Sequence, residues 1–295
     1  MVNFIKKIIN NVLSFIIWQW KNHFRVPFIN NKLKKLQGRL AIYKDRHLGE
    51  SCFIIGNGPS LNPKDLNMLN NIPSFSSNRI NLILDKTIWK PYYYSISDSS
   101  MANNFIDEIN SMEKRRMFAV VTNYGYDTLK RYFNTDSLFL KSTRKKDDNG
   151  LPAYSNDPSK KIFTHATVTY VNIQLATYMG FKKIYLIGVD HNYAINRNED
   201  GTYKINKELL GKDHFDRNYY NSWFNDEKKP STNTELMNKS YIAAKNYCDK
   251  NGIEIYNATR GGKLEVFPRV NFDELFDESG RFIEEVNVLQ RKVLG

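Results

Sequence analysis

From residue 51 onward, short apolar runs alternate with amphipathic stretches of helical length, and this alternation dictates βαβ units wound around a parallel sheet. Runs at 52–55, 74–77, 92–96, 118–121, 138–140, 184–187 and 253–256 read as strands, with helices expected around 63–70, 100–114, 125–133, 166–179 and 233–250. The expected architecture is α/β: a Rossmann-like, mostly parallel sheet with helices on both faces. At 295 residues, 41% of them hydrophobic, the chain can fill such a core, which excludes intrinsic disorder for its bulk. Two long connections interrupt the pattern. Residues 141–161 are polar and read as a solvated loop. Residues 191–232 carry Tyr193, Tyr203, Phe215, Tyr219, Tyr220, Trp223 and Phe224, which suggests an aromatic lid over a ligand or, equally, a subdomain with its own small core.

The net charge of +12 is unevenly placed: residues 1–47 carry +9 and the remainder only +3. Within that leader Phe4, Ile5, Ile8, Ile9, Val12, Leu13, Ile16 and Trp20 recur at helical spacing, opposite Asn3, Lys6, Lys7, Asn10 and Asn11. Such an N-terminal amphipathic helix, followed by Trp18, Lys21, Phe24 and Arg25, suits a lipid headgroup surface. It is expected to hold the protein in the cytoplasm, peripheral to the inner face of the cell membrane. The alternative is a helix packed on the body or on a second subunit of a homo-oligomer. Nucleic acid is not an expected partner, because the aromatics lie on the apolar face instead of between the lysines. The expected division is thus a leader over 1–47, a nucleotide-binding body over 48–278 with its lid at 191–232, and a tail over 279–295. Cys52 and Cys248 have neither zinc spacing nor the density of a disulfide framework, which fits a reducing compartment.

The first strand runs into Gly56-Asn57-Gly58-Pro59-Ser60, a tight turn at the carboxyl end of a parallel strand. Folds of this class bind nucleotides there, because glycines let the backbone approach a phosphate or sugar. The turn lacks the Gly-Lys-Ser/Thr ending of a Walker loop and the full dinucleotide fingerprint. Other strands end in polar residues on the same edge: Asn78, Asp98, and Asp190-His191-Asn192-Tyr193. Asn57, Asn78, Asp98 and Asp190 are expected to converge on one cleft, although each also suits a turn or a helix cap, Asp98 most of all. After the last strand, Arg260, followed by Gly261 and Gly262, suits an anionic ligand group or a solvated turn.

The Gly-Asn-Gly-Pro-Ser-Leu turn, Asn78, the helix beginning at Thr167-Val-Thr169 and the Ile-Tyr-Leu-Ile-Gly-Val-Asp190 segment resemble the bacterial sialyltransferases of glycosyltransferase family 42. They resemble still more the related MptE-like domain of motility-associated flagellin-glycosylation factors and of the archaeal 6-hydroxymethylpterin diphosphokinase. The resemblance implies that Gly56, Asn57, Gly58, Pro59, Ser60 and Asn78 hold the CMP part of a CMP-activated acidic sugar. It further implies that Thr167, Thr169, Asp98 and Asn192 stand near donor phosphate and sugar, with Tyr193 in place of the tyrosine that assists the departing phosphate. The family's lid histidine aligns near Pro230, which leaves His214 or His191 to act as base.

The expected activity is a glycosyltransferase of bacterial surface polysaccharide or lipooligosaccharide synthesis, with a glycan or glycolipid acceptor and no cofactor or metal. His214, in Asp213-His-Phe-Asp216, is the preferred base over His191; Asp190 and Tyr193 complete the catalytic set and Arg260 assists the phosphate. Two alternatives stay open. One is an ATP-dependent diphosphokinase with magnesium held by Asp98 and Asp190; the other is a noncatalytic nucleotide-sugar-binding scaffold.

Overall fold

The computed structural model describes residues 34–121, 137–198, 200–219 and 232–283, together with Leu13, Ser14 and Asn31. The amphipathic helix expected over the first thirty residues, the helix expected at 125–133, the lid aromatics Tyr220, Trp223 and Phe224, and most of the tail lie outside the described residues.

Eight strands form one sheet: β1 Ser51–Ile55, β2 Ser74–Ser77, β3 Tyr93–Ile96, β4 Arg116–Val121, β5 Leu138–Thr143, β6 Ile162–Phe163, β7 Lys183–Ile187 and β10 Glu254–Asn257. Their order is β10-β7-β1-β2-β3-β4-β5-β6, and every pairing is parallel. The chain starts at the centre, steps outward to β6, then crosses back to place β7 on the other flank of β1. The connections therefore diverge between the carboxyl ends of β1 and β7, the switch point where parallel α/β sheets open a crevice.

Strand alternation divides the core into two layers. Phe53 and Ile55 of β1, with Tyr185 and Ile187 of β7, face one cluster together with Leu66, Ile109 and Phe272. Cys52, Ile54, Ile184 and Leu186 face the other, under Ile173, Leu175, Tyr241 and Ala244. The first layer is covered by short helices α1 Pro63–Met68, α2 Ser99–Asn104 and α3 Ile106–Ser111; the second by α4 Val168–Tyr178 and α5 Thr234–Lys250. Asn62 caps α1 and Asn233 caps α5 through side-chain oxygens that accept the Asp65 and Leu236 N–H groups. One helix expected at 100–114 is instead two, because buried Phe105 leaves helical geometry and places its ring 3.7 Å beneath the Arg79 guanidinium.

Two expectations of solvated or separate chain are corrected. Residues 37–47, counted with the leader, are part of the body. Leu40 and Tyr43 are buried, Gln37 donates to the Pro158 carbonyl at 2.7 Å, and His47 stacks on Phe181 while sharing a hydrogen bond with the Tyr93 hydroxyl. The 141–161 stretch begins as strand β5 and is then pinned by Gln174, whose Oε1 accepts the Ser155 and Phe163 N–H groups. Within the insertion, β8 Ile195–Arg197 and β9 Tyr203–Ile205 form an antiparallel hairpin. Among the described residues no helix is long and apolar enough to cross a membrane.

Candidate functional site

At the switch point β1 and β7 leave the sheet through glycines that touch. A Cβ on Gly56 would lie 2.8 Å from the Gly188 carbonyl carbon, and Gly58 donates its N–H to the Gly188 carbonyl at 2.8 Å. Gly188 itself has φ +63°, a left-handed conformation that side chains other than glycine adopt at a cost. This close approach brings the β1 turn against Asp190, so that Ser60 Oγ donates to Asp190 Oδ2 at 2.8 Å. Gly262 packs behind, and the Asp190 carbonyl accepts the Lys263 N–H at 2.7 Å.

A cleft opens over this junction. Its walls include Gly56, Asn57 and Gly58 from β1, Asn78 from β2, Thr167 and Thr169 from the start of α4, and Asp190, His191, Asn192 and Tyr193 after β7. Residues 213–219 of the insertion form its roof: the Phe215 N–H donates to the Asn57 carbonyl at 3.1 Å, and Asp213, His214 and Tyr219 face the interior. The roof is tied down by Arg79, 1% exposed, whose Nη1 donates to the carbonyls of Asn218 and Tyr219 and whose Nη2 pairs with Glu108 at 2.8 Å. The space inside is only about 80 Å³, against the ~300–1,000 Å³ of small-molecule sites. As it stands, the cleft is smaller than a nucleotide.

Three polar atoms in the walls are buried and have no hydrogen-bond partner among the described residues: Asn57 Oδ1, Asn78 Oδ1 and His191 Nδ1. Asn57 is oriented by its Nδ2, which donates to the Ser77 carbonyl at 3.1 Å; Asn78 is held at φ +52° and its carbonyl accepts the Tyr94 hydroxyl. Buried polar atoms without partners are costly, so their convergence makes this cleft the candidate ligand site.

The titratable groups differ sharply in environment. Burial pushes the Asp190 carboxyl above the usual range, an effect partly offset by the Ser60 hydroxyl and N–H. Burial also acts to raise Asp213, but the hydrogen bond and charge of His214 and the Ala194 N–H outweigh it and hold that carboxyl below the usual range. His214 Nδ1 lies 3.3 Å from Asp213 Oδ1, and its ring stacks on Tyr219 at 3.8 Å. His191, 8% exposed, is pushed down by burial and sits at φ +54°.

Most of the residues singled out from sequence thus meet in one place. Five do not line the cleft. Ser60 stands beside it, its hydroxyl bonded to Asp190. Asp98 is exposed and caps α2, its Oδ1 accepting the Met101 N–H at 3.0 Å. Pro59 faces outward on the turn. Arg260 is drawn away by two carboxylates, pairing with Asp65 at 2.8 Å and with Asp273 at 2.8 Å, which corrects its expected place beside a phosphate. Gly261 goes with it, exposed, its carbonyl accepting Arg269 Nη1. Sequence reasoning missed the structural parts played by Asp213 and Arg79. Asp213 directly precedes a histidine in an aromatic insertion, a signal that was present. Nothing near Arg79 in sequence points to residues 218 and 219. Among the described residues no group of three or more histidine, cysteine, aspartate or glutamate side chains could hold a metal ion.

No curated protein sequence matches the chain. Among solved structures, the fold is similar to the sialyltransferase CstII from Campylobacter jejuni in complex with a substrate analogue, cytidine-5'-monophosphate. That likeness has 15% sequence identity and a TM-score of 0.33, and covers 83% of this chain and 95% of the other. The family described as 6-hydroxymethylpterin diphosphokinase MptE-like matches residues 24–196, which spans β1 to β7 and every cleft wall contributed by them. With more than half its length matched, the chain belongs to the MptE-like family.

Proposed function

We propose that the protein is a glycosyltransferase of bacterial surface polysaccharide or lipooligosaccharide synthesis that transfers an acidic sugar from a CMP-activated donor to a glycan or glycolipid acceptor. The observation that carries this reading is the Asp213–His214 pair, set by the insertion over the Gly56-Asn57-Gly58 turn. A carboxylate bonded to Nδ1 fixes the tautomer and leaves Nε2 as the basic nitrogen, the arrangement a general base requires.

In the transfer, the acceptor oxygen bonds to the anomeric carbon as the bond from that carbon to the phosphate oxygen breaks. The hydroxyl proton passes to His214, and the electron pair leaves with CMP. Asn57 and Asn78, each with a buried side-chain oxygen unpartnered among the described residues, suit the amine and hydroxyl hydrogens of a cytidine. Tyr193, Asn192, Thr167 and Thr169 would face the phosphate and sugar. The basic, amphipathic sequence of the leader supports work at a membrane surface, where such acceptors lie.

The diphosphokinase alternative keeps the support of the family's description, and the two cleft carboxylates, Asp190 and Asp213, are the groups it would use to hold magnesium. The same two carboxylates repel a triphosphate more than they repel a nucleotide with one phosphate, which favours the transferase. Calorimetric titration with CMP and with ATP, each with and without magnesium, separates the two. Metal-independent binding of CMP is expected; binding of ATP only, and only with magnesium, would overturn the transferase reading.

A further inference from the structure

A second, larger chamber of about 510 Å³ opens beside the cleft, and His191, Asn192 and Tyr193 line both. One of its walls is the β8–β9 hairpin, whose register sets Asn196 directly opposite Lys204. The other is the first turn of α5, joined to the hairpin where Asn196 Oδ1 accepts the Thr234 N–H at 2.9 Å. Lys263 closes the floor; its backbone N–H is bonded to the Asp190 carbonyl, which fixes the residue to the cleft itself.

We infer that this chamber binds the body of a hydroxyl-rich, negatively charged sugar, the acceptor of the transferase reading on which the inference rests. Three features converge on that class. Four asparagines, Asn192, Asn196, Asn206 and Asn238, stand in the lining, and side-chain amides pair as donor and acceptor with vicinal hydroxyls. Lys204 and Lys263 form no ion pair among the described residues, whereas the one carboxylate in the lining, Glu235, is occupied by Lys239 at 2.9 Å. The chamber is therefore electropositive and selects a carboxylate or phosphate. Finally, His191 stands at the threshold more than nine-tenths buried, with Nδ1 unpartnered among the described residues. A sugar hydroxyl reaching from the chamber into the cleft supplies the missing bond and arrives within the space His214 faces. The larger chamber then holds the acceptor while the narrow cleft holds the nucleotide.

The test uses the full chain and three probes with the same ring: glucose, glucuronic acid and glucose 6-phosphate, followed by saturation-transfer NMR titration, with CMP affinity measured in parallel by calorimetry. One or both acidic sugars should bind at least fivefold more tightly than glucose, and the acid that does so identifies the charge the lysines read. The Lys204→Ala/Lys263→Ala double variant should abolish that preference and leave CMP affinity within twofold. Equal binding of all three sugars, or a preference that survives the double variant, overturns the inference. Should CMP fail to bind while the lysine-dependent preference holds, the chamber stands as an acidic-sugar site and the transferase reading falls.

Discussion

The turn at the switch point can be tested by adding one methyl group. A Cβ on Gly58 would stand 2.7 Å from Asp190 Cγ and 2.8 Å from the Gly188 carbonyl oxygen, both closer than real Cβ contacts allow. Overpacking of this kind costs about 1–3 kcal/mol, which for a chain of this size lowers Tm by roughly 2 °C per kcal/mol. The Asp190 side chain can swing away, but in doing so it loses the Ser60 hydrogen bond and leaves the cleft. Gly58→Ala should therefore lower Tm by several degrees and weaken nucleotide binding together. In an Asp190→Ala background most of the penalty should vanish, leaving a coupling on the order of 1 kcal/mol, less whatever Gly188 still imposes. Gly56→Ala supplies the control, because its clash is with the Gly188 backbone and the Val189 side chain, which removing Asp190 does not relieve. Thermal denaturation of the four proteins of the cycle measures the coupling. An equal cost for Gly58→Ala with and without the Asp190 carboxylate would show that the acid does not lie against the turn, and the cleft as described would be wrong.

Other outcomes follow from the same geometry. His214→Ala should lower turnover at least a hundredfold with donor affinity nearly unchanged, measured with a matched donor and acceptor; equal loss of donor binding would remove its role as base. Asn57→Ala should weaken CMP binding by about tenfold or more, the loss of roughly 1–2 kcal/mol of hydrogen bonding, while the fold persists. Because burial depresses His191, the unfolded chain takes up a proton below about pH 6.5 before the folded one does, so stability falls as pH drops through that range. His191→Asn, a residue that tolerates the same positive φ, should flatten the urea midpoint between pH 7.5 and 5.5 relative to wild type; His165, depressed by burial as well, leaves a residual slope in both.

The fold was legible because local pattern and sheet position agree. Each of the seven expected strands is present, and the apolar runs of β1 and β7 are continuous because both of their faces are buried. The cleft residues at strand ends were legible for the same reason: a parallel sheet brings its carboxyl ends to one edge. What sequence could not supply depends on distant partners. Arg260 ahead of two glycines looks like an anion site until Asp65, 195 residues earlier, and Asp273 are seen to occupy it. The β6 strand is two residues long and owes its place to Gln174, so no periodicity announces it. Residues 37–47 look like an extension of a basic leader, yet His47, Tyr43 and Leu40 are apolar or ring-bearing at the spacing that fills the groove beside Phe181 and Phe118.

The two carboxylates of the cleft explain why one insertion can serve both closure and chemistry. Environments that push like groups in opposite directions divide acid from base roles. Asp213 keeps its charge because His214 and the Ala194 N–H repay its burial, and both of those partners come from the insertion itself. Asp190 lies at the switch point, where burial outweighs the Ser60 hydrogen bonds and raises its carboxyl above the usual range. Asp213 and His214 stand together on residues 213–219, whereas Asp190 is bonded to Ser60 on the turn. The roof thus sets a preassembled imidazole–carboxylate pair over a floor where burial raises the Asp190 carboxyl. On the transferase reading, this places the base over the reacting carbon while the donor phosphate approaches the turn. An insertion lacking Asp213 would keep the Phe215 and Arg79 contacts but lose the carboxylate bonded to His214 Nδ1.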